Sequence, residues 1–312
     1  MVMLIYILPS LFLGWSLGAN DAANVFGPPV VNGVIRFRTA TIVASIFVVL
    51  GAVLQGSKGL STIGGLTEIN LATSAVSMFA AALTVTIMTF FGLPVSTTQA
   101  VVGALTGAGL LINGHVDAGK LVKIMLSWVG TPFGAFVFGF VLYIILSYPF
   151  RLIKNVKTQD LTIKVATWIF GAYASYSLGA NNVANVTGAL VGRLLNIQLL
   201  ALIGGLSIAF GILTFSRRVM LTVGKSIVEL DYFSSLVVVL GSALTVWIYA
   251  LIGVPVSSSQ AIVGAVIGAG FARGTRIGNT KMVMRVVYGW VGTPIISGLM
   301  CVTMLGIISV FL

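Results

Sequence analysis

Fourteen residues of this chain have the types and spacing to bind ions, and they fall into seven matched pairs. Gly18-Ala19-Asn20-Asp21-Ala22-Ala23-Asn24-Val25-Phe26-Gly27 returns 161 residues later as Gly179-Ala180-Asn181-Asn182-Val183-Ala184-Asn185-Val186-Thr187-Gly188. The same offset relates Pro94-Val95-Ser96-Thr97-Thr98-Gln99 to Pro255-Val256-Ser257-Ser258-Ser259-Gln260. Asp21 is the only acid well inside an apolar segment, with no Lys or Arg near it in sequence to neutralise it. A cation or a proton is then its natural compensation. Asn20, Asn24, Asn181, Asn182 and Asn185 add amide oxygens and donors. Two glycines and Pro28-Pro29 predict a broken or loosened helix around residues 18–29, whose freed carbonyls and amides could ligate ions. One such motif is also explained by Asn hydrogen bonding between helices; two in matching positions argue for a site.

The Ser-rich motifs read differently. Ser96 followed by Gln99, and Ser257 followed by Gln260, have capping-box spacing, in which the Ser caps a helix and the Gln reaches back. Capped helix starts present N–H groups and hydroxyls together, which suits an anion. A bare structural cap explains one copy; two copies, each with three hydroxyls in a row, favour an oxyanion held by uncharged donors.

These motifs lie in a membrane protein. Mean hydropathy is +1.12, 58% of residues are hydrophobic and 7% charged, which excludes a soluble domain. The net charge of +11 sits in loops, so it argues for membrane orientation rather than for nucleic acid. Apolar segments fall at about 3–26, 39–56, 71–92, 95–112 and 121–148, then 165–188, 197–215, 233–252, 256–271 and 286–311. Five per repeat is an odd number, so the copies must be inverted, with halves 1–158 and 159–312. Lys and Arg agree with that parity. Thirteen fall on one side, and only Lys58, Lys120, Lys123 and Arg193 on the other. Both termini are therefore expected outside the cytoplasm of a cell (plasma) membrane. The first segment, interrupted by Asn20 and Asp21, is expected to stay in the fold rather than be cleaved as a signal peptide. The short link at Leu93-Pro94, repeated at Val254-Pro255, suits either two crossings or one reentrant hairpin. The hairpin is favoured because it brings the polar tip to a cavity at mid-membrane.

Other features have structural readings. Gly103 and Gly107, with Gly264 and Gly268, form G-x-x-x-G faces for close helix packing. Trp128-Val129-Gly130-Thr131-Pro132 recurs as Trp290 to Pro294, its Trp suited to an interfacial anchor and its Gly and Pro to a bend. Glu68 and Glu229 match at the 161 offset and are expected to be structural, as caps or at the interface. His115 is expected to be solvated, and Cys301 to be a buried hydrophobe.

Together these motifs, with Ser216-Arg217-Arg218-Val219-Met220-Leu221-Thr222-Val223-Gly224-Lys225, resemble the PiT family of inorganic phosphate transporters over nearly the whole chain. The resemblance implies an all-α polytopic fold of two inverted repeats with broken helices, a homodimer, and phosphate import by symport, with sodium favoured over protons. It implies a substrate site at Ser96, Thr97, Thr98, Gln99, Ser257, Ser258, Ser259 and Gln260. The cation and substrate shell would be Asn20, Asp21, Asn24, Asn181, Asn182 and Asn185, with sodium at Asp21, Asn24, Asn182 and Asn185. Three departures stand out: Asn182 where the family usually has Asp, Gln99 and Gln260 where many members have His, and a short basic loop in place of the long hydrophilic insert that some members have between the repeats. A sulfate permease of the same fold is the nearest rival, and an anion channel is a third reading. An enzyme with Ser96 or Ser257 as nucleophile lacks a His or Lys base in the membrane. No cofactor is expected.

Overall fold

The computed structural model describes residues 2–91, 95–112, 114–217, 220, 230–275 and 280–311. Pro94, Arg218, Lys225 and Glu229 lie outside them. The described chain is helical: α1 (Val2–Val31), α2 (Phe37–Gln55), α3 (Ser57–Gly64), α4 (Leu71–Phe90), α5 (Thr97–Leu111), α6 (Ala118–Leu152), α7 (Val156–Thr187), α8 (Ile197–Phe215), α9 (Tyr232–Leu251), α10 (Ser258–Arg273) and α11 (Thr280–Phe311). A 3-10 turn, Gly188–Leu190, follows α7. Six helices or helix portions among the described residues have the length and hydropathy to cross a membrane, as the composition requires.

Packing repeats when the two halves are exchanged. α1 lies against α8 and α4 while α7 lies against α2 and α9; α5 packs on α11 while α10 packs on α6. The G-x-x-x-G faces make the last pair possible. A Cβ at Gly103 would stand 2.2 Å from the Pro294 carbonyl oxygen, and one at Gly264 would stand 2.2 Å from that of Pro132. Each glycine face therefore seats on the proline turn of the other half. The expected bends do not interrupt these helices, because α6 runs unbroken through Pro132 and α11 through Pro294.

The break expected around residues 18–29 is absent too. α1 is continuous through Pro28 and Pro29, which fall in its last turn; having no N–H, they leave the carbonyls of Asn24 and Val25 without their ladder donors but do not end the helix. Their own carbonyls accept from Asn32 N and Val34 N at 3.0 Å. It is the proline-free copy that stops, at Thr187.

Helix starts are set by short polar caps. Asn70 accepts from Thr73 N at 2.8 Å and Asp231 from Ser234 N at 2.6 Å. These residues, not Glu68, cap α4 and α9; Glu68 is exposed, and its N–H bonds to the His115 carbonyl. His115 is exposed and Cys301 buried, as their types suggest.

Helix α3, only eight residues long, was not legible as an apolar segment. It fastens the bend after α9: Lys58 Nζ donates to Leu251 O at 2.9 Å, and Thr62 Oγ1 to Gly253 O at 2.6 Å. Gly253 has φ +74°, which a side chain would strain. Lys120 Nζ similarly donates to Gly65 O at 2.8 Å, and the Arg193 guanidinium to the carbonyls of Ile69, Thr67, Ala189 and Gly64. Three of the four basic residues on the lean side of the charge count thus close off backbone carbonyls.

Candidate functional site

The two repeated phrases meet face to face. Asn182 Nδ2 donates to Asp21 Oδ2 at 3.0 Å, so residues equivalent in the two halves bond directly. Ser258 Oγ, from the first turn of α10, donates to the same oxygen at 2.7 Å and accepts from Asn24 Nδ2 at 3.3 Å. On the other side, Asn185 Nδ2 donates to Thr98 Oγ1 at 2.9 Å and to Asn182 Oδ1 at 3.1 Å. α1, α5, α7 and α10 thus converge on one buried polar cluster, in which Asp21 is 2% exposed.

Local structure aims these groups. Ser96 and Ser257 cap their helices, accepting from Gln99 N and Gln260 N at 3.2 Å each. Of the next two hydroxyls in each helix, at N1 and N2, those of Thr98, Ser258 and Ser259 bond to the opposing half. Thr98 Oγ1 donates to Val256 O at 3.0 Å, and Ser259 Oγ to Val95 O at 3.1 Å. Each tip is therefore tied to the other's backbone. Ser257 and Ser259 also share a hydrogen bond of 2.9 Å.

Asn181 donates to Asn182 Oδ1 at 2.9 Å and also holds the second tip. Its amide grips Val256 on both sides, accepting from Val256 N at 2.9 Å and donating to Val256 O at 2.8 Å. It is a positioning residue for the second tip. Asn181→Leu leaves the buried Val256 N–H without an acceptor and should cost about 1–3 kcal/mol. A lowered thermal midpoint of purified protein checks this, and an unchanged midpoint counts against the clasp.

Other expected residues make further contacts. Asn20 Nδ2 donates to Thr89 Oγ1 on α4 at 2.8 Å. Gln99 and Gln260 do not complete their capping boxes: each Oε1 is buried with no partner, and both side chains line a groove on the far side of the tips.

Three oxygens in or beside the cluster are buried without a hydrogen-bond partner: Asp21 Oδ1, Asn185 Oδ1 and Thr97 Oγ1. Unpartnered buried oxygens are costly and suit a hard cation. Among the described residues no group of three His, Cys, Asp or Glu occurs; the oxygens gathered here are amide, hydroxyl and one carboxylate. A neighbouring cavity of about 10 Å³, lined by Asn24, Ser258 and Ser242 among apolar side chains, holds at most one water or bare ion. Ser242 was not legible from the repeat, because its counterpart is Ala81. A four-oxygen anion needs more room than this, so binding one requires the tips to part.

Comparison with known proteins places the whole arrangement. The profile of the phosphate transporter family matches residues 17–301. A Pyrococcus furiosus protein, provisionally named a phosphate permease, is 28% identical over 95% of this chain and 94% of its own length. The sulfate permease CysP of Bacillus subtilis is 31% identical over 93% of this chain and 84% of its own. A solved structure titled "The sodium-dependent phosphate transporter" superposes with a TM-score of 0.89 at 25% identity, covering 100% of both chains.

Proposed function

This chain belongs to the phosphate transporter family, and from that premise we propose that it is a secondary active transporter importing inorganic phosphate by symport with a cation, sodium before protons. The family is one of transporters, not enzymes, and the Ser96 and Ser257 hydroxyls are engaged as caps rather than poised as nucleophiles. The observation that carries the proposal is the Asp21–Asn182–Ser258 junction, where one carboxylate is shared by donors from both halves.

In this reading the donors now bonded to one another change partners. Phosphate oxygens take the hydroxyls of Thr97, Thr98, Ser258 and Ser259, and the tips separate from the Val95 and Val256 carbonyls. A sodium ion takes the free oxygens of Asp21 and Asn185, with Asn24 and Asn182 beside it. Its positive charge lets the dianion sit near the Asp21 carboxylate, which otherwise repels it. Neither ligand is well held alone, and that mutual requirement is the basis of coupling.

The exchange symmetry of the packing and the charge count support inverted halves, 1–158 and 159–312, with both termini outside the plasma membrane. At 15 and 16 residues, α5 and α10 are about 23 Å long, short of a full bilayer core, which supports reentrant hairpins. A homodimer belongs to the same proposal. Sulfate is the second reading, favoured by the Bacillus subtilis relative.

Uptake of labelled phosphate and sulfate into proteoliposomes, with sodium and proton gradients imposed separately, tests all of this. Sodium-driven phosphate uptake is the expected result. Gradient-independent flux would indicate a channel, and preferred sulfate uptake would replace the substrate.

A further inference from the structure

The displaced glutamines lead to a second site. Between α6 and α11 a groove of about 470 Å³ runs to the first turns of α5 and α10. Gln99 and Gln260 lie within it at 2% exposure each, and Trp128 and Trp290 stand across from one another in equivalent positions. The two Gln Oε1 atoms and the two indole Nε1 atoms are all buried and all without a hydrogen-bond partner. The indoles are thus not the interfacial anchors expected from sequence, whose N–H would reach water. At the rim, Val129 and Val291 are 73% and 61% exposed, on helices whose long apolar faces are otherwise unburied.

Four unfilled polar atoms around one groove signal an occupant, since each left unpaired costs roughly 1–3 kcal/mol. Its chemistry follows from the lining. No ionisable side chain lines the groove, so a charged headgroup would find no counter-charge. Two acceptors need donors and two indoles need acceptors; hydroxyls supply both. The apolar rim and flanking helix faces suit a hydrocarbon chain. We propose that this groove is a lateral, bilayer-side binding site for one uncharged lipid alcohol of the monoacylglycerol kind. Its head would bond Gln99 and Gln260 at once, linking α5 to α10 directly behind the two tips.

The experiment uses the five tryptophans. With Trp15, Trp168 and Trp247 changed to Phe, Trp128 and Trp290 report alone. In nanodiscs, a dibrominated monoacylglycerol should quench them saturably, half-maximally at roughly tenfold lower mole fraction than dibrominated phosphatidylcholine of the same chain, a preference of about 1.4 kcal/mol. Gln99→Leu with Gln260→Leu should erase the difference. Should that pair fail to fold, Val129→Phe at the exposed rim, which leaves the glutamines intact, should weaken the quenching by obstruction. Native mass spectrometry of the unmodified protein should show the monoacylglycerol adduct retained over phosphatidylcholine. Equal quenching by both lipids would mean simple bilayer contact, and quenching by neither would mean water or a second copy fills the groove; either result overturns the proposal.

Discussion

Asp21→Asn is expected to lower cation-driven phosphate uptake by about 100-fold or more, equivalent to roughly 3 kcal/mol of lost coupling, while the protein stays folded. The substitution keeps the size and shape of the side chain but removes the one carboxylate in the cluster. Asp21 Oδ2 accepts from Asn182 and Ser258, and an amide oxygen can still take these two donors. What disappears is the negative charge that would hold a cation against the unpartnered oxygens of Asp21 and Asn185. Uptake in proteoliposomes, paired with size-exclusion and thermal-unfolding profiles, reads both consequences. Since Asn182 bonds Asp21 directly, adding Asn182→Asp to the variant returns a carboxylate to the same junction and should restore part of the uptake. Normal transport by Asp21→Asn alone would remove Asp21 from the mechanism.

A large loss of stability is expected at Gly264. Its Cβ position lies 2.2 Å from the Pro132 carbonyl oxygen, a backbone atom that cannot swing aside. Gly264→Ala must push α10 off α6, and forcing a methyl into so close a contact costs about 3 kcal/mol or more. Gly103→Ala should do the same at Pro294. Contrast with an open glycine gives the control: Gly289 has nothing within 4 Å, so Gly289→Ala should leave the thermal midpoint nearly unchanged. Equal midpoints for Gly264→Ala and the unaltered protein would show that the helices have slack there.

Much of this arrangement was legible in the sequence because polar residues in apolar helices have few explanations. The Asn, Asp and Ser/Thr motifs announced themselves by cost, and the glycine faces by spacing. What the sequence could not supply was pairing across the halves. Nothing in Gly103 or Gly264 names a proline of the opposite half as its seat. Direction was the second gap: spacing made Gln99 and Gln260 into capping partners, whereas their side chains turn to the groove behind the tips. Third, local rules misjudged α1: its two prolines remove donors near the end of the helix without interrupting it. The short α3 and the lone Ser242 had neither length nor repetition to mark them.

The crosswise seating of glycine on proline also bears on how the chain is made. Gly103 precedes its partner Pro294 by 191 residues. At roughly 5–20 residues per second of synthesis, α5 stands without its seat for about 10–40 s. During that interval α5 presents a glycine-lined face that nothing covers, until the final helix arrives to close it. Packing of the first half is thus completed only by α11, and a chain truncated before Pro294 would leave α5 without its partner, however complete its first repeat.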